Sequence, residues 1–128
     1  MPDTPADLLS EARKTVSEIS VEEAKAGLDR GEVDLILDVR EPNEWEAGHI
    51  PGAMHAPRGM LEWYADPSYA NHKPQLAAAR EQTVVIHCAA GGRSLLAAQT
   101  LQRLGFKNVR SMAGGFNDWS AKGLPTEK

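Results

Sequence analysis

The chain has 128 residues, of which 41% are hydrophobic and 25% are charged, and its formal net charge is −4 at pH 7. This length predicts one domain with an apolar core of its own. The acidic balance excludes a protein built to coat nucleic acid or an anionic membrane surface. No apolar run is long enough to cross a membrane, and the N-terminus lacks the basic and apolar regions of a signal peptide. We therefore expect a cytoplasmic protein.

Apolar spacing and turn residues predict that strands alternate with helices along the whole chain. A capping-box pattern from Ser20 to Glu23 marks one helix start, and glycines after apolar runs mark helix ends. The predicted helices span residues 4–15, 21–30, 42–47, 57–65, 75–80, 94–104 and 116–121. The predicted strands span residues 16–19, 33–39, a brief segment after Gly52, 83–87 and 109–111.

This order predicts an α/β fold, with a mainly parallel sheet of about five strands and helices on both of its faces. No linker or repeat divides the chain. We expect an N-terminal extension over residues 1–18 that includes a short helix, one domain over residues 19–125, and a C-terminal tail over residues 126–128.

The stretch that carries chemistry follows the predicted strand 83–87. Cys88 is the only cysteine and cannot form a disulfide within the chain, so its thiol is free to react. Small residues then lead through Arg93 and Ser94 into a helix. Cysteine reacts as the thiolate, and we expect three features to lower the pKa of the thiol: inward-facing loop N–H groups, the positive end of the helix, and the charge of Arg93.

Gly91 and Gly92 permit the positive φ angles that curl a loop around an anion. The alternative interpretation is a buried structural cysteine at the end of a strand, the usual fate of a lone cysteine. Such a residue needs neither a glycine pair nor an arginine five positions later. The pattern therefore favours a reactive Cys88.

Three sequence blocks resemble the signatures of rhodanese-like domains. They are DVREPNEWEAGHIPGA (residues 38–53), CAAGGRS (residues 88–94) and MAGGFNDW (residues 112–119), the last followed by GLP (residues 123–125). The blocks occur in the order typical of the family, and the resemblance covers Ile19 to Pro125. It implies the small rhodanese α/β fold in a single domain.

The resemblance also implies sulfur transfer by covalent catalysis at Cys88. A donor such as thiosulfate would leave its outer sulfur on Cys88 as a persulfide, and cyanide or a thiol would remove it. A thioredoxin-like or other sulfur-relay protein is a further candidate acceptor. No metal or organic cofactor is implied. The resemblance assigns binding of the substrate and the persulfide to Ala89, Ala90, Gly91, Gly92, Arg93 and Ser94.

The length of the loop bears on the substrate. Cys88 to Arg93 is six residues, whereas the related dual-specificity phosphatases have one residue more, so the resemblance implies a sulfur-sized site and disfavours a phosphatase or arsenate reductase. Many thiosulfate-using members carry Arg or Lys where this chain has Ala89, and we therefore expect weak thiosulfate binding. A non-catalytic module that binds a partner or senses redox state is the alternative from another class.

Asp38 and Arg40 match the Asp-x-Arg of the family at the end of a strand. They are expected either to support the Cys88 loop or border its entrance, or, for Arg40 in particular, to form a salt bridge that holds the following helix. Trp63, Tyr69 and Lys73 lie in the longest irregular region. They are expected either to form one wall of the site mouth or to pack this excursion onto the body of the domain.

The remaining polar residues near the loop have simpler expectations. The four histidines lack metal-ligand spacing with the single cysteine, so we expect no metal site. His87 precedes Cys88 on a strand and should point to the opposite face, which makes it a poor catalytic base. Ser94 stands at the predicted helix start, where its hydroxyl is expected either to cap the helix, the favoured role, or to contact the loop.

Overall fold

The computed structural model describes all 128 residues. Five strands form one sheet: β1 (Ser17–Ile19), β2 (Leu35–Asp38), β3 (Met54–His55), β4 (Thr83–His87) and β5 (Asn108–Met112). The helices are α1 (Pro5–Arg13), α2 (Val21–Asp29), α3 (Pro42–Ala47), α4 (Leu61–Tyr64), α5 (Pro74–Ala77), α6 (Gly92–Arg103) and α7 (Gly115–Ala121). A short 3-10 helix, Arg58–Met60, precedes α4. None of the helices is long and apolar enough to cross a membrane.

The strand order is β1-β5-β4-β2-β3, and every neighbouring pair is parallel. The predicted α/β class with about five strands is therefore confirmed, and the sheet is wholly parallel. Parallel neighbours require the chain to cross from the C-terminal edge of the sheet back to its N-terminal edge before each new strand. The helices provide these crossings, and β4 lies in the middle of the sheet.

Alternation along the strands divides the core between the two faces of the sheet. Val84 and Ile86 of β4 face the larger cluster, which is covered by α6 and also contains Leu95, Leu101 and Cys88. Val85, between them, faces a smaller cluster beneath α2 and α7 that includes Val21, Ala24 and Trp119. Cys88 continues the parity of Ile86, so its side chain lies on the α6 face.

The terminal segments are attached to the domain. The proposed boundary after residue 18 falls inside β1, the edge strand that pairs with β5. Leu9 of α1 approaches Gly92 at the start of α6, while Thr15, just past α1, accepts a hydrogen bond from Gln102 near the end of α6, so α1 and α6 run in the same direction. In the tail, the backbone of Glu127 pairs with that of His49.

The start of α7 lies directly against the backbone that follows β4. The amide of Phe116 donates to the Cys88 carbonyl at 2.8 Å, and the amide of Asn117 donates to the Ala89 carbonyl at 3.0 Å. Gly115 permits this approach, because a Cβ there would lie 2.5 Å from the Cys88 oxygen and 2.6 Å from the Ala89 oxygen. The close contact between α7 and the loop therefore requires the second glycine of the GG pair in the third sequence block.

We predict that Gly115→Ala lowers the free energy of unfolding by about 2 kcal/mol more than Gly123→Ala does. Both glycines have positive φ angles, +57° and +69°, so both variants carry the same kind of backbone strain. Only Gly115 has carbonyl oxygens in the way, since nothing lies within 4 Å of a Cβ at Gly123. Urea denaturation of the two variants measures the difference, and equal losses would contradict the assignment.

Candidate active site

Cys88 follows β4 directly, at the C-terminal edge of the parallel sheet, where ligands bind in open α/β folds. The chain then turns through Ala89 and Ala90 to Gly91, which has a φ of +111° and stands directly before the first residue of α6. Only one of the two glycines predicted to curl the loop has a positive φ, because Gly92 already belongs to the helix. A bend of four residues thus joins the central strand to a helix N-terminus.

The Cys88 sulfur is enclosed and hydrogen-bonded. The residue is 1% exposed, the Gly91 amide donates to Sγ at 3.1 Å, and the thiol lies 3.5 Å from the Ser94 hydroxyl oxygen. Burial raises the pKa of the Cys88 thiol, but hydrogen bonds from the Ser94 hydroxyl and from the amides of Ser94, Gly91 and Ala90 outweigh burial and lower the pKa below its ordinary value. The site therefore stabilises a thiolate.

The carbonyls of the loop point away from the sulfur. The Cys88 and Ala89 oxygens accept hydrogen bonds from the amides of Phe116 and Asn117 at the start of α7. Because a peptide group carries its N–H opposite its C=O, holding these carbonyls outward turns loop amides toward Sγ. The polarity around the sulfur is thus imposed by a helix that is distant in sequence.

Ser94 differs from its sequence-based prediction. It is the third residue of α6, not the residue before it, and its hydroxyl does not cap the helix. Instead, Ser94 Oγ donates to the Gly91 carbonyl at 3.2 Å and lies 2.8 Å from Ser111 Oγ on β5. Both serines are fully buried. The favoured capping role was wrong because the positive φ of Gly91 starts the helix two residues earlier, and the hydroxyl has the alternative role of contacting the loop.

The charge of Arg93 is shared with Glu44 of α3. The guanidinium makes two hydrogen bonds to that carboxylate, at 2.8 and 3.0 Å. Hydrogen bonding from Arg93 is the largest effect on Glu44 and, against the opposing effect of burial, lowers the pKa of that carboxyl to about 2. The pair is therefore ionised on both sides at neutral pH. The predicted cation of the loop stands beside a compensating anion.

Asp38 and Arg40 form a buried ion pair on the other face of the sheet. Asp38 is fully buried and Arg40 is 4% exposed, and their closest contact is 2.8 Å. Arg40 also donates to the Gly48 carbonyl at the end of α3, and its guanidinium lies 4.1 Å above the centre of the Phe116 ring. The pair thus joins α3 to the residue of α7 that holds the Cys88 carbonyl.

His87 lies on the carbonyl side of the loop. Its Nδ1 is 3.2 Å from the Cys88 oxygen, which only accepts hydrogen bonds, so Nδ1 carries the hydrogen. Burial lowers the pKa of this imidazole, although Asp38 at 3.7 Å opposes the effect. The neutral ring does not face Sγ, which agrees with its expected unsuitability as a catalytic base.

The irregular segment that contains Trp63, Tyr69 and Lys73 lies away from the Cys88 loop. Trp63 borders a surface cavity with Arg80 and Leu104, beyond the C-terminal end of α6, whereas Cys88 is at the N-terminal end of this helix, about 18 Å away. The prediction that Trp63 forms part of the mouth is therefore wrong. This segment must carry the chain from β3 back to the start of β4, which draws it away from the C-terminal edge of the sheet.

Tyr69 and Lys73 contact their own excursion. The amide of Tyr69 donates to the Asp66 carbonyl, the amide of Lys73 donates to the Tyr64 carbonyl, and the Lys73 ammonium lies 4.9 Å from the centre of the Tyr64 ring. These contacts match the packing alternative for this region. Lys73 therefore does not supply the cation that is missing at Ala89.

Sequence reasoning did not assign a site role to Glu44, Ser111 or Gly115. A polar residue at a core-facing position of a strand is the signal that could have identified Ser111. No group of three His, Cys, Asp or Glu side chains is placed to hold a metal ion. The site as built can hold a sulfur anion within N–H and O–H donors.

The chain is similar to known proteins over most of its length. The sequence model of the Rhodanese-like domain matches residues 20–122. The Bacillus subtilis (strain 168) protein named "Putative sulfur carrier protein YrkF" is 38% identical over 88% of this chain, which spans 56% of that relative's length. Thiosulfate sulfurtransferase 16, chloroplastic, of Arabidopsis thaliana is 34% identical over 71% of this chain and 78% of its own length.

A solved structure from Rhodopseudomonas palustris CGA009 covers 99% of both chains with a TM-score of 0.88 and 38% identity, and that protein of unknown function is described as a possible tyrosine phosphatase. The match of the family model, together with the wholly parallel five-stranded sheet and the loop at the end of β4, determines the family. The chain belongs to the rhodanese-like domain family.

Proposed function

We propose that this protein is a sulfurtransferase that carries sulfane sulfur on Cys88. The observation that supports the proposal most directly is the enclosure of Sγ by the Gly91 amide and the Ser94 hydroxyl, which favours the thiolate. The relatives named as a sulfur carrier and as a thiosulfate sulfurtransferase point in the same direction.

The reaction consists of two half-reactions. In the first, the Cys88 thiolate attacks the outer sulfur of a donor such as thiosulfate, the sulfur–sulfur bond of the donor breaks, and sulfite leaves with the electron pair. In the second, cyanide or a thiolate attacks the outer sulfur of the Cys88 persulfide. The bond to Sγ then breaks, and Cys88 returns as the thiolate. The acceptor leaves as thiocyanate or as a new persulfide, and a thiol on a sulfur-relay protein would serve equally.

Loop amides and the start of α6 supply the electrostatic stabilisation in both steps. The same N–H groups that lower the pKa of Cys88 would face the terminal sulfur of the persulfide anion. Cys88 is 1% exposed, so its sulfur is closely surrounded by protein. This enclosure suits one added sulfur atom better than the phosphoryl group of a phosphotyrosine, which needs a deep cleft.

We predict that incubation with thiosulfate adds one sulfur atom to the wild-type protein and that cyanide removes it. Cys88→Ser, which keeps the shape of the side chain but loses the nucleophile, gains none. Intact-protein mass spectrometry measures the mass before and after each step. A wild type that gains no sulfur, or a Cys88→Ser variant that gains it equally, would overturn the proposal. Hydrolysis of p-nitrophenyl phosphate without sulfur uptake would favour a phosphatase instead.

Thiosulfate itself should bind weakly. Ala89 adds no charge to the loop, and the charge of Arg93 is compensated by Glu44 at 2.8 Å. A dianionic donor therefore meets hydrogen-bond donors but no free cation. This arrangement suits a donor in which the sulfane sulfur is attached to an uncharged organic group.

We predict that the wild type has a high KM for thiosulfate and that Ala89→Arg lowers it about tenfold, because the added charge lies beside the incoming anion. The matched control is Ala78→Arg, which makes the same change of net charge just past α5, at the opposite edge of the sheet. Steady-state assays with thiosulfate and with the persulfide of an uncharged organic thiol test the effect. Low-micromolar saturation of the wild type by thiosulfate, or an equal gain in Ala78→Arg, would contradict this prediction.

A further inference from the structure

A second buried hydroxyl lies behind the one that contacts the reactive sulfur. Ser111, on β5, is fully buried and pairs through its backbone with Ile86 of β4. It shares the parity of Val109, whose side chain is in the cluster on the α6 face, so Ser111 also faces α6. Its Oγ lies 2.8 Å from Ser94 Oγ, the one partner of this side chain.

The Ser94 hydroxyl has one hydrogen and three neighbours. The Gly91 carbonyl is 3.2 Å away, the Ser111 oxygen is 2.8 Å away, and Cys88 Sγ is 3.5 Å away. While Cys88 is a thiol, its S–H donates to Ser94 Oγ, and Ser94 donates elsewhere. Once Cys88 loses its proton, Sγ becomes an acceptor, and the Ser94 hydrogen can turn to it. The loss of the Cys88 proton also removes the S–H hydrogen bond that Ser94 Oγ had been accepting.

Ser111 can replace the lost donor. A fully buried hydroxyl is costly to leave without a hydrogen-bond partner, and in the contact between Ser111 Oγ and Ser94 Oγ either oxygen can be the donor, so the Ser111 hydrogen can be given to Ser94 Oγ. Accepting a hydrogen bond from Ser111 also polarises the Ser94 O–H and strengthens its donation to a negatively charged sulfur. We propose that Ser111 is a positioning residue that donates to Ser94 and thereby directs the Ser94 hydroxyl to the Cys88 thiolate.

The effect of the Ser111 hydroxyl on Cys88 can be separated from the effects of the charged groups nearby. Arg93 of α6 is paired with Glu44 of α3, while His87, Asp38 and Arg40 lie on the opposite face of the sheet. Arg110 and Met112, the neighbours of Ser111 on β5, also point to that opposite face. Replacing Ser111 therefore changes one hydroxyl and no charge near the sulfur. The proposal rests on Cys88 reacting as a thiolate, but its test does not require sulfur transfer.

Because Cys88 is the only cysteine, the rate of iodoacetamide alkylation as a function of pH reports its pKa directly. We expect Ser111→Ala to raise this pKa by about half a unit or more, since a hydrogen bond that favours the charged form is weakened. Ser94→Ala should raise it at least as much. The double variant should match Ser94→Ala, because Ser111 acts through Ser94.

An unchanged midpoint in Ser111→Ala, or a double variant whose shift is the sum of the two single shifts, would overturn the proposal. Val109→Ala is the structural control, since it shortens a buried side chain of the same strand on the same face. It should lower stability in urea without moving the alkylation midpoint, and a shift equal to that of Ser111→Ala would also refute the inference. If Ser111→Ala does not fold, Ser111→Thr and Ser111→Val provide a pair of equal shape, and only the hydroxyl-bearing threonine should keep the low pKa.

Failure of this test is distinguishable from failure of the proposed function. Uptake of sulfur from thiosulfate by Cys88 in the wild type depends on the nucleophile itself. The alkylation profile depends on the proton affinity of that nucleophile. A protein that takes up sulfur but shows no shift in Ser111→Ala would keep the sulfurtransferase proposal and lose the role of Ser111.

Discussion

Two backbone hydrogen bonds from the start of α7 to the Cys88 and Ala89 carbonyls determine the character of the loop. They hold the loop oxygens outward, so the groups that remain for the sulfur are amides and a hydroxyl. This contact requires glycine at position 115, since any Cβ would collide with both carbonyls. The third sequence block therefore acts on the second through these backbone hydrogen bonds.

Two ion pairs, one buried and one partly exposed, stabilise the surroundings of this contact. The buried pair of Asp38 and Arg40 connects the end of β2, the end of α3 and the Phe116 ring, and so supports the start of α7. The half-exposed pair of Glu44 and Arg93 connects α3 to the start of α6 and compensates the only cation of the loop. The sulfur consequently depends on neutral hydrogen-bond donors, which stabilise a small, diffuse anion without attracting a dianion.

Most of the fold was predictable from local patterns. The apolar runs that become β2 and β4, the capping box at Ser20, and the proline and glycine that bracket α3 each act over a few residues, and the structure contains these elements. The prediction for Trp63 was wrong for a reason of topology. An irregular segment carries no periodicity, and its position follows from the need to return to the N-terminal edge of the sheet before β4.

The sequence by itself determined the α/β order, the placement of a lone Cys88 at the end of a central strand, and the small-residue loop that leads into a helix. These features depend on neighbours along the chain. Only the tertiary structure decided which distant residues support the loop around the sulfur. Glu44, Ser111 and Gly115 reach the loop from α3, β5 and α7, and such contacts arise from the order of strands in the sheet. Local propensity cannot encode that order of strands, because each of these three residues suits its own helix or strand whether or not the loop lies beside it.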